Sequence, residues 1–299
     1  MAGRTAGVAM TAQALAFGCQ GATLVGILHR PEQPCRRGIL MVVGGGPQYR
    51  VGGHRQLTLW ARALAASGSA VLRFDYRGMG DAQGSFRGFR HIDDDIRCAV
   101  DQLCQQVPGL TEVVLWGECD AASAILMYAG RDGRITGAVL LNPYVRTEGL
   151  QAQAMLKHYY LRRLLQPGFW KKIVGGKFNP LGSLRSLLSM VVKAGAAGAT
   201  KAHTAMATAA GPIPASMSLP QAMLIGLQRF KGRVLLVLSG RDMVAREFDS
   251  LVAGSQDWQA ALLAHGVERQ DMPLADHTFS SSALRDQVLA SSLAWLRKP

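Results

Sequence analysis

Apolar runs alternate with segments of helical spacing along most of the chain. Two short strands joined by a turn are predicted at 13–33. Four further apolar runs have the length of buried strands: residues 38–43, 69–74, 113–116 and 137–141. Helical spacing lies between them: residues 54–66, residues 93–106 and the run directly after Cys119. Alternating strands and helices predict an α/β fold, with a mostly parallel, doubly wound sheet.

The alternation stops after residue 148 and resumes near residue 231. The intervening residues contain segments with helical spacing and basic faces: residues 150–165, 169–174 and 184–192. We therefore predict a first core part at 1–148, an inserted helical lid at 149–230 and a second core part at 231–299. Four elements are predicted in the second core part: a strand at 233–239, a helix around 250–265, a short strand near 267–272 and a final helix at 283–296.

The positive charge of the chain is concentrated in one block. The net charge is +13, and residues 149–241 contain thirteen Lys and Arg but no Asp or Glu. The remaining 20 basic residues balance all 20 acidic ones. Such a block predicts an anionic partner, either a phosphate-bearing or lipid-linked acyl substrate or an anionic membrane surface. It has no aromatic-interleaved or finger-like motif, so a nucleic acid partner is not predicted.

Several classes of protein do not fit the composition. No apolar run approaches the ~18 residues of a membrane span, and Arg4 is the only early positive charge before a weak, alanine-rich segment. The five cysteines are odd in number and form no CxxC pair, which is typical of a reducing compartment. We predict a cytoplasmic protein, with the inner membrane surface as an alternative location. Neither a metal nor an organic cofactor is predicted, and the oligomeric state is not indicated.

The pentapeptide Gly-Glu-Cys-Asp-Ala at 117–121 joins a predicted strand to a predicted helix. At such a corner the central side chain is exposed above the sheet, and the next backbone N–H points to the same side. This arrangement predicts Cys119 as a nucleophile and the backbone N–H of Asp120 as an oxyanion donor. The alternative is a cysteine that serves only as a small buried hydrophobic residue.

A nucleophile with an oxyanion donor is the equipment for acyl transfer. That reaction also needs a base, and a group that orients the base. His277 lies in the loop before the last predicted helix, and Asp242 directly follows the strand at 233–239. We predict His277 as the base and Asp242 as its orienting acid. Asp249 and Asp276 are the competing acids, but the first lies in a predicted helix and the second is adjacent to His277 in the chain.

A glycine-rich loop follows the strand predicted at 38–43. Pro47 has no backbone N–H, so Gly46 is predicted as the second oxyanion donor, with Gln48 as the alternative. Gln48 and His54 follow these glycines and are expected to contact substrate. Glu118 precedes the thiol and is expected to contact substrate or to supply an additional base.

Five segments carry a resemblance to known proteins: GGGPQYRVGGHRQ, LRFDYRGMGDAQG, GECDAASA, NPYVRT and ADHTFS. Together they resemble the α/β-hydrolase superfamily over nearly the whole chain, and more narrowly the type-1 hydrolases associated with the exosortase A system. That family is encoded beside bacterial exopolysaccharide genes. The resemblance implies an α/β-hydrolase fold and a cysteine-nucleophile elbow at Cys119, with Asp242 and His277 at the acid and histidine positions.

The predicted function is a cysteine-nucleophile acyl hydrolase, esterase-like or thioesterase-like, in exopolysaccharide-linked metabolism. A cysteine at the elbow also resembles the dienelactone hydrolases. Because a thiol paired with an imidazole can ionise near neutrality, it suits thioesters, activated esters and lactones. An acyltransferase of the same fold and a catalytically inert binding module are the alternatives. An inert module would be expected to lose at least one of Cys119, Asp242 and His277, whereas the sequence does not separate hydrolase from transferase.

Overall fold

A computed structural model of the protein describes residues 10–146, 211, 213–214 and 216–298. These residues contain the elbow, the glycine loop and the segments of Asp242 and His277. The predicted lid segments at 150–165, 169–174 and 184–192 lie outside the described residues, so this part of the domain prediction stays a prediction.

Eight strands of the described residues form one sheet: β1 (Met10–Cys19), β2 (Ala22–Pro31), β3 (Arg37–Val42), β4 (Ala70–Asp75), β5 (Glu112–Glu118), β6 (Ile135–Leu141), β7 (Arg233–Ser239) and β8 (Glu268–Met272). Their order across the sheet is β1-β2-β4-β3-β5-β6-β7-β8. β2 pairs antiparallel with both β1 and β4, and the other neighbouring pairs are parallel. The predicted mostly parallel α/β sheet is confirmed.

The longer helices of the described residues are α1 (Gln56–Ala66), α2 (Asp93–Gln106), α3 (Asp120–Ala129), α4 (Leu219–Arg229), α5 (Met243–Ala253), α6 (Gln256–His265) and α7 (Ser282–Arg297). α1 packs against α7, while α4 packs against both α3 and α6. No helix in this part of the chain is long and apolar enough to cross a membrane.

The central strands are buried along their whole length, which explains their continuous apolar sequences. Every residue of β4 is buried, and so are Gly38 to Val42 of β3. Parallel strands covered by helices on both faces need apolar side chains at successive positions, not only at alternate ones. Because β3, β5, β6 and β7 run parallel, their carboxyl ends meet at one edge of the sheet. The candidate residues lie at this edge.

The helix predicted around 250–265 is two helices. α5 ends at Ala253 and α6 begins at Gln256. Between them, the hydroxyl of Ser255 accepts a hydrogen bond from Trp258 N at 3.4 Å. A serine at this position caps the start of a new helix, because it satisfies a backbone donor that lacks a helical partner. The prediction of one helix was wrong because apolar spacing continues across the break.

α4 falls within the range predicted for the lid but packs on the core. A Cβ atom at Gly226 would lie 2.0 Å from the carbonyl oxygen of Leu126 on α3, so the two backbones touch directly. Most of its apolar residues are buried, among them Leu219, Met223 and Leu227. The predicted lid boundary at 230 therefore lies beyond a helix of the core, since buried apolar helical spacing does not by itself distinguish a lid from a core layer.

Candidate active site

Cys119 lies at the corner between β5 and α3 in a strained backbone conformation. Its φ and ψ are 58° and −125°, a region that residues other than glycine rarely adopt. The corner is tight, because a Cβ at Gly117 would lie 2.9 Å from the carbonyl carbon of Ala121. The sharp turn is stabilised by a hydrogen bond from Cys119 N to Leu141 O, 2.9 Å long. These features match a strand-to-helix nucleophile elbow.

The structure brings the three predicted catalytic side chains together. His277 Nδ1 lies 2.8 Å from Asp242 Oδ2. Cys119 contributes to the raised pKa of His277, so the thiol lies close enough to the imidazole to interact with it. Acid, imidazole and thiol are therefore neighbours, as nucleophilic catalysis requires.

Asp242 is the N-cap residue of α5 and is only 6 % exposed. Its carboxylate accepts hydrogen bonds from Val244 N and Ala245 N, both 3.1 Å long. Burial by itself would raise the pKa of this carboxyl. The hydrogen bond and charge of His277, together with the two backbone donors, outweigh burial and lower the pKa below its ordinary value. Asp242 therefore presents a fixed negative charge to the imidazole.

The environment of His277 favours its protonated form. The hydrogen bonds to Asp242 and then to Cys119 raise its pKa to about 10, although burial opposes the shift. Near neutral pH the imidazole therefore carries a proton.

The competing acids have other partners. Asp249 forms an ion pair with Arg269 at 2.8 Å. Asp276 accepts a hydrogen bond from Ser280 N at 2.9 Å and another from the Ser280 hydroxyl, so it braces its own loop. Of the three candidate acids, Asp242 is the one that contacts the His277 ring.

Asn142 is a site residue that the sequence analysis missed. It is fully buried at the end of β6, with a φ of 46°. Its amide nitrogen donates to Ser239 Oγ and to the backbone oxygen of His277, both at 2.9 Å, and its amide oxygen accepts from Ser239 N at 2.8 Å. The side chain thus ties the loop of His277 to β6 and β7. The Asn-Pro pair that ends the strand was the only sequence signal.

The glycine loop after β3 packs directly on the elbow. A Cβ at Gly44 would lie 2.3 Å from Glu118 O, so no larger residue fits without movement. Gly45 N donates to Asp120 Oδ1 at 2.7 Å, and the Gln48 side-chain amide donates to Gly44 O. Within the described residues the backbone N–H of Gly46 has no hydrogen-bond partner. Gln48 likewise has no partner for its backbone N–H among these residues, whereas the N–H of Gly45 is engaged. Both predicted donors, Gly46 and Gln48, therefore remain open to a ligand.

Glu118 ends β5 directly before Cys119, and its side chain is half-buried. Its Oε1 atom is buried and has no hydrogen-bond partner among the described residues. Burial raises its pKa to about 7. The charges of Asp242 and Asp276 add to this shift, while that of His277 opposes it. Glu118 therefore changes protonation near neutral pH, close to the imidazole.

His54 lies to one side of this constellation. It is exposed, within the short helical turn Gly53–Arg55. Hydrogen bonds from Ser280 lower the pKa of Asp276, and the charge of His54 adds to that shift. His54 is therefore beside the loop that carries His277, at the rim of the site.

Arg146 is a second residue that sequence reasoning missed. Its Nε atom lies 3.1 Å from the buried Glu247, and its guanidinium is 5.9 Å from the ring centre of Tyr144. The hydrogen bond that Arg146 donates to Glu247 raises the pKa of Arg146, and the interaction with Cys119 adds to the effect. Arg146 therefore places a permanent positive charge near the thiol.

The described residues offer no group of three or more His, Cys, Asp or Glu side chains arranged to hold a metal ion. All five cysteines are free, so Cys119 is not part of a disulfide.

A family model described as serine aminopeptidase, S33, matches residues 38–250. The chain belongs to this family of hydrolases. The match includes β3 with its glycine loop, the elbow and Asp242. In this member Cys119 occupies the elbow of a family that is named for serine. A search of curated proteins finds no match.

Solved structures of esterases share the fold over almost the whole chain. An esterase from Pyrococcus furiosus aligns with a TM-score of 0.62 and 13% identity, covering 96% of this chain and 91% of the esterase. A thermostable carboxyl esterase from Bacillus coagulans, solved with glycerol, aligns with a TM-score of 0.59 and 15% identity, covering 96% and 98%. A protein from Klebsiella pneumoniae, described as a putative dienelactone hydrolase, aligns with a TM-score of 0.58 and 13% identity. The alignment covers 97% of this chain and 100% of that protein. At these identities the likeness establishes the α/β-hydrolase fold alone.

The partner and location predictions rest on residues outside this part of the chain. Most of the basic block, including Lys171, Lys172 and Lys177, lies outside the described residues. An anionic partner, a membrane surface and a cytoplasmic location therefore stay predictions.

Proposed function

We propose that this hydrolase acts on ester or thioester bonds with Cys119 as its nucleophile, His277 as its acid and base, and Asp242 as the group that orients His277. The observation that carries the proposal is the hydrogen bond between Asp242 and His277 at 2.8 Å, beside a cysteine on a strained strand-to-helix elbow. The effect of Cys119 on the pKa of His277 agrees with this arrangement. Membership of a hydrolase family supports the same conclusion.

In the first step, the Cys119 thiolate adds to the substrate carbonyl carbon and forms a C–S bond. The carbonyl oxygen takes the negative charge and is stabilised by the backbone N–H of Asp120 and that of Gly46. The intermediate then collapses and breaks the bond to the leaving group. His277 gives its proton to the departing alkoxide or thiolate and is left neutral for the second step. The product of this step is a thioester on Cys119.

In the second step, water hydrolyses the thioester. Neutral His277 removes a proton from the water molecule as it attacks the acyl carbon. Collapse of the intermediate breaks the C–S bond, releases the carboxylic acid and restores the pair of Cys119 thiolate and protonated His277. Asp242 stays ionised throughout and stabilises the imidazolium.

The electrostatics favour a thiol over a hydroxyl at this corner. Asp242 and then Cys119 raise the pKa of His277, so the imidazole beside this corner favours its protonated form. A thiol can transfer its proton to the imidazole in advance and remain as a stable ion pair. Such a nucleophile suits thioesters, activated esters and lactones.

The narrower assignment follows the resemblance to the type-1 exosortase A system-associated hydrolases. We propose a role in exopolysaccharide-linked metabolism on a small or lipid-linked acyl substrate. The acyltransferase alternative keeps the first step and replaces water by another acceptor in the second. A thioester on Cys119 is compatible with both, because thioesters react with water and also with amines and thiols.

Intact-mass analysis tests these functions together. The purified protein is incubated with a panel of acyl-CoAs and p-nitrophenyl esters, with Cys119→Ala as the control. A hydrolase gains one acyl mass on Cys119 and loses it in buffer alone. A transferase keeps the acyl group until an amine, thiol or sugar acceptor is added. Acylation that persists in Cys119→Ala, or no acylation with any donor, would contradict the proposal.

A further inference from the structure

The Asp120 side chain makes a contact that the catalytic steps above do not use. Its Oδ1 atom accepts the Gly45 N–H at 2.7 Å. This bond crosses from the first turn of α3 to the loop after β3, between residues 75 positions apart in the chain. It joins the residue that carries one proposed oxyanion donor to the loop that carries the other.

Close contacts with the elbow restrict the position of the loop after β3. The loop backbone lies against the elbow at Gly44, where a Cβ would be 2.6 Å from Asp120 Oδ1 and 2.3 Å from Glu118 O. The two following glycines have positive φ values, 89° at Gly45 and 81° at Gly46. Glycines have many accessible conformations, so the backbone by itself does not fix the direction of the N–H groups. A hydrogen bond from outside the loop supplies that constraint.

We infer that Asp120 is a positioning residue for the oxyanion site, because its carboxylate engages Gly45 N–H and holds the loop so that Gly46 N–H is presented to the substrate. The inference rests on the proposed acyl chemistry of Cys119. Asp120 therefore has two roles. Its backbone N–H is one oxyanion donor, and its side chain sets the position of the other donor, the Gly46 N–H. The same hydrogen bond occupies the Gly45 N–H, which is therefore not available to the substrate.

Two other roles for this carboxylate lead to different behaviour. An acid in the first turn of a helix interacts favourably with the helix dipole, as Asp257 does in α6. That role alone would leave catalysis unchanged. Alternatively, the carboxylate could compete with the substrate oxygen for the loop donors, and its removal would then accelerate acylation.

The test compares two reactions of the same thiol in Asp120→Ala, Asp120→Ser and Asp120→Asn, with Asp257→Ala as the matched helix-start control. Acylation of Cys119 by p-nitrophenyl acetate, followed as the burst of nitrophenol, needs the oxyanion site. Alkylation of Cys119 by iodoacetamide displaces iodide from a saturated carbon and needs only the thiolate. The ratio of the two rates therefore isolates the oxyanion site from the nucleophile.

We expect Asp120→Ala and Asp120→Ser to acylate about 100-fold more slowly, the size of effect seen when one oxyanion donor is lost. Alkylation should stay within about threefold, because the thiol and His277 are untouched. Asp120→Asn keeps an oxygen that can accept from Gly45, so it should acylate within about tenfold of the wild type, and Asp257→Ala should match the wild type.

Four results would overturn the inference. Acylation in Asp120→Ala as fast as in the wild type, or faster, would show that the carboxylate does not position a donor. Equal losses in both reactions would mean that the elbow as a whole was disturbed. Asp120→Asn as slow as Asp120→Ala would indicate that the charge, and not the hydrogen bond, matters. A wild-type protein that forms no acyl-Cys119 would overturn the proposed function and this inference together.

Discussion

The two halves of the site are held in place by different means. The nucleophile half, Cys119 with the Gly44–Gln48 loop, depends on backbone geometry: a strained corner, glycines in close contact and a single bridging carboxylate. The base half depends on side-chain hydrogen bonds, since Asn142 fixes the loop of His277 and backbone donors fix Asp242.

The difference indicates how each half should respond to substitution. A larger side chain in the nucleophile half moves backbone atoms, so it disturbs the oxyanion donors without removing a chemical group. A substitution in the base half removes a proton carrier or its orienting charge and leaves the backbone in place. The first kind of change should alter geometry, and the second should alter ionisation.

The largest effect is expected in the base half. His277→Ala removes the group that holds the proton in both steps, so esterase activity should fall by about 1,000-fold or more. Turnover of p-nitrophenyl acetate measures this loss. Asn142 donates to the backbone oxygen of His277, so the loop should remain in place, and an unchanged circular dichroism spectrum is the control. Activity within tenfold of the wild type would show that His277 is not the base.

Gly44→Ala breaks the nucleophile half by sterics alone. The added Cβ would collide with the backbone oxygen of Glu118, so the loop must move away from the elbow. We expect acylation to slow about 100-fold, comparable to the loss of an oxyanion donor. Gly133→Ala is the matched control, because no atom lies within 4 Å of its added Cβ. Normal acylation in Gly44→Ala would contradict the account of the loop.

A smaller loss is expected from Asp242→Asn. In a serine triad, replacing the acid by its amide lowers the rate about 10,000-fold. Here Asp242 is the main cause of the raised His277 pKa, but Cys119 also raises it, so the imidazole keeps part of its preference for the proton. We therefore expect a smaller loss, about 10-fold in kcat/KM for p-nitrophenyl acetate. Asp249→Asn, which affects an ion pair with Arg269, should keep full activity. The reverse result in the two variants would assign the acid to Asp249.

The smallest effect concerns stability and not rate. The pKa of Glu118 is raised to about 7 by burial, above its ordinary value of 4.5. Its contribution to stability is therefore complete below about pH 4.5 and is lost as the pH rises through 7, because the folded protein resists ionisation. Glu118→Gln stays neutral, so its melting temperature relative to the wild type should increase from pH 5 to pH 9. A difference that is constant across this range would contradict the assigned ionisation.

The sequence predicted the parts of the molecule that depend on local pattern. Buried strands are continuous apolar runs in the sequence. The corner at Cys119 could be predicted because its strand, its small residues and its helix are adjacent in the chain. The contacts of Asn142 with His277 and of Asp120 with Gly45 were not predicted, because they join residues 135 and 75 positions apart. Such contacts follow from the order and register of the strands, which local periodicity does not specify. The break at Ser255 was missed because apolar spacing continues across it.

The central claim is that Cys119 is an activated nucleophile, and the relative reactivity of the five cysteines tests it most directly. Burial raises the pKa of the Cys19, Cys35 and Cys104 thiols, which keeps them protonated at neutral pH. Cys119 instead faces His277, which is protonated at that pH. The measurement is labelling with iodoacetamide at pH 7, followed by peptide mass mapping. We expect Cys119 to be alkylated ahead of Cys19, Cys35, Cys98 and Cys104, and to lose this advantage in His277→Ala. Labelling of Cys119 in the folded protein more slowly than the other four would contradict the claim.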